Sequence, residues 1–364
     1  MQSDTVEGRS DMTKILTRMG DNSNVEFTRD ELRQEFIDGS EFAAKKAKVP
    51  PLTENEIDWL VDVFAAPTRI WGVERGHEVV MTKDGCVNAL NSSQMSSGVV
   101  APVNREVGVR LFESMLGFDS MEISHNDYSV KPQRFLKKLE MLHVEILQET
   151  TIFPLLYGFM PNLGLYFKTD GPFDNPYDLM QQGKIKESQE TQEAAGAKCL
   201  EDCIEMSDCM VEMGADGIDY DTVASTGDGE FAAVLKSTEH VAKETGMPVE
   251  IGMSTEMVTG IHGTIEYNGK RLAGMWPHQQ LQVCEEAGVA IFGPVSTTNT
   301  KKSTPWNLGK ALVFVKACTD IAKVPIHPNV GMGVGGVPMF ETPAVDVVTR
   351  CSAAMIEIGK ADGL

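Results

Sequence analysis

Three stretches of the chain share one pattern of apolar and polar positions. Met210-Val-Glu-Met-Gly-Ala-Asp-Gly-Ile-Asp-Tyr-Asp221 carries the end of a helical stripe, a glycine and a short apolar run. Cys284-Glu-Glu-Ala-Gly-Val-Ala-Ile-Phe-Gly293 repeats it, and Met355-Ile-Glu-Ile-Gly-Lys-Ala-Asp-Gly-Leu364 begins it again. Glycine after the last helical apolar position is a stop signal, and the apolar run beyond it predicts a buried parallel strand. In the last copy the printed chain stops just after that strand begins, which would leave ladder groups without partners.

Residues 1–115 have a different texture from the rest. Thr28 and Thr53 each stand three positions before a glutamate, Glu31 and Glu56, at the head of an amphipathic segment, the signature of a capping box. Residues 70–81 read as short extended pieces and 88–98 as a polar loop. These features predict an N-terminal helical and extended cap. From residue 116 to 364 strands and helices alternate. Strands are predicted at 119–123, 152–157, 217–220, 248–253, 289–292 and 325–330. Helices are predicted at 135–149, 185–213, 230–245, 308–321 and 345–358. That alternation implies a parallel sheet. Six strands and a begun seventh predict an α/β fold, a TIM (β/α)8 barrel that is C-terminally incomplete, with a doubly wound sheet as the alternative.

Composition narrows the partners. The 32 basic and 53 acidic side chains leave a net charge of −21, which argues against nucleic acid and anionic membrane surfaces and favours a cationic ligand. Seven cysteines without repeated spacing point to reduced thiols, and with no signal segment the expectation is a cytoplasmic protein. The most apolar segment, 152–167, is broken by Pro154, Gly158, Pro161 and Gly164, so it is not a membrane span.

In a barrel, functional side chains sit at the C-terminal ends of strands. That rule selects His125 with Asp127, Asp219 with Asp221, Glu250, and His327 with Asn329. Glu250 lies between Val249 and Ile251 in an apolar strand, where an unpaired carboxylate is costly. Orienting a loop backbone is the plain alternative for each of the others. Cys199, Cys203, Met206, Met210 and Met213 make one helical stripe opposite acidic residues, so core packing is favoured over a metal site. Gly331-Met-Gly-Val-Gly-Gly336 matches a dinucleotide fingerprint, but Pro338 and Pro343 delay the helix that such a site needs. Gly331, Gly333, Gly335 and Gly336 are better read as a loop that lets a bulky cofactor or partner approach closely.

Gly171-Pro-Phe-Asp-Asn-Pro176, Leu272-Ala-Gly-Met-Trp-Pro-His-Gln-Gln280, Gly293-Pro, Asn299-Thr, the 331–336 loop and Glu341-Thr-Pro343 together resemble the dimethylamine:corrinoid methyltransferases of methanogenesis from methylamines. The resemblance runs from about Leu16 to Leu364. It implies a TIM barrel that moves a methyl group from dimethylamine to the Co(I) corrinoid of a cognate corrinoid protein, releasing methylamine. No cofactor would be tightly bound, because the corrinoid belongs to the partner, and a homo-oligomer is expected. The family carries pyrrolysine, encoded by an in-frame amber codon, after an Ala-Asp-Gly-(Ile/Leu) pattern that Ala361 to Leu364 matches. An essential pyrrolysine is therefore expected immediately after Leu364, and the 364-residue form is expected to lack turnover. Strand-end logic, not the family motif, makes Glu250 and Asp219 the candidates for assisting it, with His125 and His327 as relays. The aromatic residues of 158–178 would suit a methylammonium through cation–π attraction. Two alternatives stay open: an inactive truncated form that only binds protein partners, and a metal-dependent barrel lyase or hydrolase using His125, Asp127 and His327. Sequencing the coding DNA checks the first expectation; UAG should follow the Leu364 codon, and UAA or UGA there would sink it.

Overall fold

The computed structural model describes residues 14–79, 88–91, 100–103, 156–169, 171–261, 263–340 and 343–364. The described residues fall into two compact units, one drawn from 1–80, 294–322 and 326–364, the other from 81–293 and 323–325. The first unit opens with an antiparallel hairpin of β1 (Ile15–Arg18) and β2 (Asn24–Phe27). Then come α1 (Arg29–Ala47) and α2 (Glu54–Ala65), each starting at its expected capping box. The Thr28 hydroxyl oxygen accepts the Glu31 N–H at 3.3 Å, while the Glu31 carboxylate accepts the Thr28 N–H at 2.8 Å. Thr53 and Glu56 make the same exchange at 3.4 and 2.7 Å. Two of the amides that a helix start leaves orphaned are satisfied each time.

In the second unit, β3 (Asn88–Asn91) pairs antiparallel with β4 (Val100–Val103), where a polar loop was expected over 88–98. A ladder satisfies backbone groups whatever the side chains, so Asn-Ala-Leu-Asn carries little signal of its own. The central feature is a parallel sheet of β5 (Leu156–Phe159), β6 (Gly217–Val223) and β7 (Val249–Met253), completed further along by a short strand at Ile291–Gly293. Its spatial order follows chain order, with helices between successive strands. These helices are α3 (Pro176–Gln181), α4 (Ile185–Met213), α5 (Asp228–Glu244) and α6 (Pro277–Ala287). A small hairpin of β8 (Glu266–Tyr267) and β9 (Lys270–Arg271) precedes α6; the sheet strand Ile291–Gly293 is β10. The fold is thus mixed α/β. The strand expected at 119–123 and the helix at 135–149 lie outside the described residues.

Gly158 looked like the end of a strand and is instead inside one. A Cβ there would lie 2.5 Å from the Asp219 carbonyl oxygen and 2.9 Å from the Asp219 Cβ, so β5 approaches β6 too closely for any side chain. The first two copies of the sequence pattern close alike. Gly214 and Gly288 take left-handed backbone angles, and Ala215 and Val289 donate to the carbonyls of Met210 and Cys284.

The first unit resumes with α7 (Thr304–Thr319) and α8 (Val345–Glu357). Leu308, Ala311, Leu312, Val313, Phe314 and Val315 are all buried, so α7 is covered on every side and forms this unit's core. It crosses α1 at two glycines. A Cβ on Gly39 would lie 2.0 Å from the Trp306 carbonyl oxygen, and one on Gly309 would lie 2.6 Å from that of Phe36. Arg350 of α8 donates to the carbonyls of Val63, Ala66 and Thr68, a cation placed where the C-terminal end of α2 needs one. The third copy of the sequence pattern departs from the first two, because Lys360, not the glycine, is left-handed. Asp362 then exchanges hydrogen bonds with Ile326 at 3.0 and 2.9 Å, one through its side chain. The strand expected over 325–330 forms no regular ladder among the described residues. Pro328 has no N–H to give, and Ile326 makes only isolated bonds.

Gly39→Ala tests the crossing. A methyl forced against backbone costs about 3 kcal/mol, offset by about 1 kcal/mol of helix propensity. Chemical denaturation should show a net loss of about 2 kcal/mol; an unchanged midpoint would mean that the helices do not meet at this distance.

Candidate active site

The site begins with one tyrosine. Tyr220 is fully buried, and its hydroxyl lies 2.6 Å from Ser207 Oγ on α4 and 2.6 Å from Ser237 Oγ on α5. Phe159 packs edge-on against its ring at 5.1 Å. Burial pushes the phenol's pKa up, so it remains a neutral donor. Side chains alternate along a strand, so with Tyr220 held among the helices, Asp219 and Asp221 take the opposite face. The pairing carries this across the sheet. Gly158 is beside Asp219, Asp219 beside Glu250, and Glu250 beside Ile291. Ile218, Val249, Ile251 and Phe292 supply the apolar face with Tyr220.

Asp219 and Glu250 are therefore brought together on adjacent strands, Asp219 half-buried and Glu250 9 % exposed. A bulge follows. Tyr220 opposes Ile251 and Val223 opposes Met253, so Asp221 and Thr222 share the position of Gly252. Bulges re-aim strand-end side chains, and Gly252 leaves room; a Cβ there would lie 3.2 Å from Asp221 Oδ1. Asp221 Oδ1 also accepts the Thr222 N–H at 2.6 Å. The strand expected at 217–220 thus runs on through two residues whose polarity hid it.

The turn from β6 into α5 is strained. Thr222 and Ala224 have φ of 52° and 67°, angles at which each non-glycine residue costs on the order of 1–3 kcal/mol. Glu230, wholly buried, holds that turn. Its carboxylate accepts the Ser225 N–H at 3.1 Å, the Ser225 hydroxyl at 3.0 Å, the Thr226 N–H at 3.0 Å and the Thr226 hydroxyl. Burial pushes its pKa up to about 7 against the pull of these four donors. Neighbouring Asp228 is also raised by burial, and Gln192 donates to it at 3.1 Å. Strand-end logic missed Glu230 because it lies in a helix. The available signal was an acidic residue four and five positions after Thr226 and Ser225, a displaced form of the capping pattern.

Other expected residues lie elsewhere. His327 is half-buried in the first unit, just after Ile326, and His125 and Asp127 are outside the described residues. The 331–336 loop is also in the first unit. Its Gly333, Gly335 and Gly336 have φ of 85°, 67° and 88°. Cβ atoms there would meet Met339, the Asn329 carbonyl and the α7 backbone at Leu308, so these three glycines serve close approach within the chain itself. Gly331 has open space where a Cβ would be. Phe159, Tyr166 and Phe167 are buried, with the Tyr166 hydroxyl donating to Asp202 at 2.7 Å, so these aromatics pack the interior; Tyr177 is exposed. Cys199 and Cys203 are buried in α4, as the stripe predicted. No group of three His, Cys, Asp or Glu among the described residues is arranged to hold a metal ion. Nor is any described helix long and apolar enough to cross a membrane.

The model of the family described as Dimethylamine methyltransferase (Dimeth_PyL) matches residues 13–364. The chain belongs to that family. No solved structure matches it. Family membership implies a methyltransferase acting on a small amine.

Linkage gives a direct check on Glu230. Its pKa rises from the ordinary 4.5 to about 7, so the folded protein holds a proton that the unfolded chain has released. This contribution to stability is fully present below the unfolded pKa and is lost as pH rises through about 7. In urea denaturation from about pH 5 to about pH 8, Glu230→Gln should flatten the decline. An unaltered slope would show that Glu230 titrates like a solvated carboxylate.

Proposed function

We propose that this methyltransferase moves a methyl group from dimethylamine to the Co(I) corrinoid of a cognate corrinoid protein and releases methylamine, in methanogenesis from methylamines. The observation that carries the substrate assignment is the Asp219–Glu250 pair, side by side on parallel strands. Adjacent strands lie about 4.8 Å apart, so two acidic side chains there concentrate negative potential at one place on the sheet, which favours a small cation. Dimethylamine is such a cation near neutral pH, and the overall acidic balance favours its approach.

Asp219 and Glu250 have two tasks. They orient the ammonium, and they keep the nitrogen protonated so that the departing group is neutral methylamine rather than an amide anion. The bond that breaks is carbon–nitrogen, and its electron pair stays with nitrogen. The methyl group passes to cobalt, which supplies the electron pair of the new bond. The Co(I) corrinoid belongs to the partner. The chain-order arrangement of the parallel strands supports a (β/α)8 barrel with this row on its inner face. His327 and His125 are kept as relay candidates, and the loop bearing Gly331 as the place where the bulky partner approaches. A cytoplasmic homo-oligomer remains the expected setting.

The test uses the natively produced protein with dimethylamine and the corrinoid protein reduced to Co(I). Loss of the Co(I) absorption should match methylamine released, and Asp219→Asn or Glu250→Gln should raise KM for dimethylamine about tenfold or more. No methylamine with any Co(I) corrinoid protein, or unchanged kinetics in both variants, would overturn the assignment.

A further inference from the structure

Glu230 is fully buried and takes no part in the chemistry assigned above, yet four donors converge on its carboxylate. A glutamate in the first turn of a helix ordinarily accepts the amide of the residue that caps it. Here the cap is Gly227, and Glu230 reaches past it to Ser225 and Thr226. What it holds is the strained turn directly after Asp219 and Asp221. The network continues outward. Thr226 Oγ1 accepts the Leu163 N–H at 3.2 Å, which brings in the segment after β5. The Val223 carbonyl accepts both the N–H and the hydroxyl of Ser254 at 2.9 Å, which brings in the segment after β7.

We propose that Glu230 is a positioning residue for the amine site, fixing the strand-end backbone from which Asp219 and Asp221 project. The proposal rests on the assignment of Asp219 and Glu250 to the amine. Counting protons supports it. Both backbone groups can only donate. The Thr226 hydroxyl accepts the Leu163 N–H on one lone pair and directs its single proton to Glu230. Four donors suit the ionised carboxylate best; on protonation one of its oxygens becomes a donor, and the hydroxyl bonds must rearrange. Among the described residues, two titratable groups are set against it. Cys199 on α4 is held protonated by its hydrogen bond to Cys203, by burial and by the charge of Glu230, so it adds no positive charge. Asp228, on the same turn of α5, is turned to Gln192. Among the described residues it is the turn that sustains the ionised form, and the geometry of the amine site follows its protonation.

Dimethylammonium chloride is titrated calorimetrically into the full chain from about pH 6 to about pH 8, where the amine stays charged. Amide hydrogen exchange at Leu163, Ser225 and Thr226 is followed alongside. Wild-type affinity should rise as pH passes about 7. Glu230→Gln should bind about tenfold more weakly at the upper pH, lose that rise and exchange these amides faster. Glu230→Asp keeps the charge and should keep the rise. A Glu230→Gln variant with wild-type affinity and pH profile overturns the proposal, and so does one that melts earlier or exchanges faster while its binding profile stays unchanged. If the wild type binds no dimethylammonium at any pH, the amine assignment falls and this proposal with it; a binding wild type beside an unaffected variant removes the proposal alone.

Discussion

The hydroxyl of Tyr220, shared between a serine on α4 and a serine on α5, fixes what the sheet can present. Side chains on a strand have a period of two, so a slip of one residue would exchange the two faces of β6. The slipped state would put two aspartates among Phe159, Ile251 and the helices, and burying an unpaired carboxylate is among the largest penalties available to a fold. Three buried oxygens thus decide which face is acidic. Once β6 is set, pairing places Glu250 beside Asp219, and the same pairing leaves only glycine possible at position 158.

Stability and the proposed positioning role pull Glu230 in opposite directions. Its ionisation weakens the fold, since burial disfavours the charge. Its four partners are nonetheless all donors, an arrangement that suits the ionised form. A fold selected for stability alone would place an apolar side chain there, as replacing buried charge by well-packed apolar groups is often neutral or favourable. Strained backbone at Thr222 and Ala224 beside the same carboxylate fits a region where local geometry matters more than local stability.

Much of the fold could be read from periodicity. The long helix Ile185–Met213 ran where its stripe said, and both capping boxes formed, because these signals are local and need no partner. The misplacements had tertiary causes. Gly158 read as a break, yet a neighbouring strand requires it. Asp221 and Thr222 read as loop, yet they form a bulge, and the turn that follows it is held by a residue in the next helix. The hairpin at 88–91 gave no alternation to detect. Asp219 and Glu250 were legible as candidates because strand ends in an α/β sheet are where side chains become available for chemistry. Their adjacency was not, since register is a pairing between distant segments. Phe159, Tyr166 and Phe167 read as part of a loop and are buried, because covering large apolar area is strongly favourable.

The hydroxyl of Thr226 has a consequence for how this family can diversify. Surface loops ordinarily accept insertions independently of one another, which lets a scaffold change its specificity one loop at a time. Here the segment after β5 ends its polar chain on Thr226, the turn after β6 carries that residue, and the segment after β7 is bound to the carbonyl three positions before it. Lengthening one of the three withdraws a partner from the next. Variation in these segments is therefore expected to be correlated, and new amine selectivity is more accessible through side-chain exchange on the strands than through remodelling of the loops.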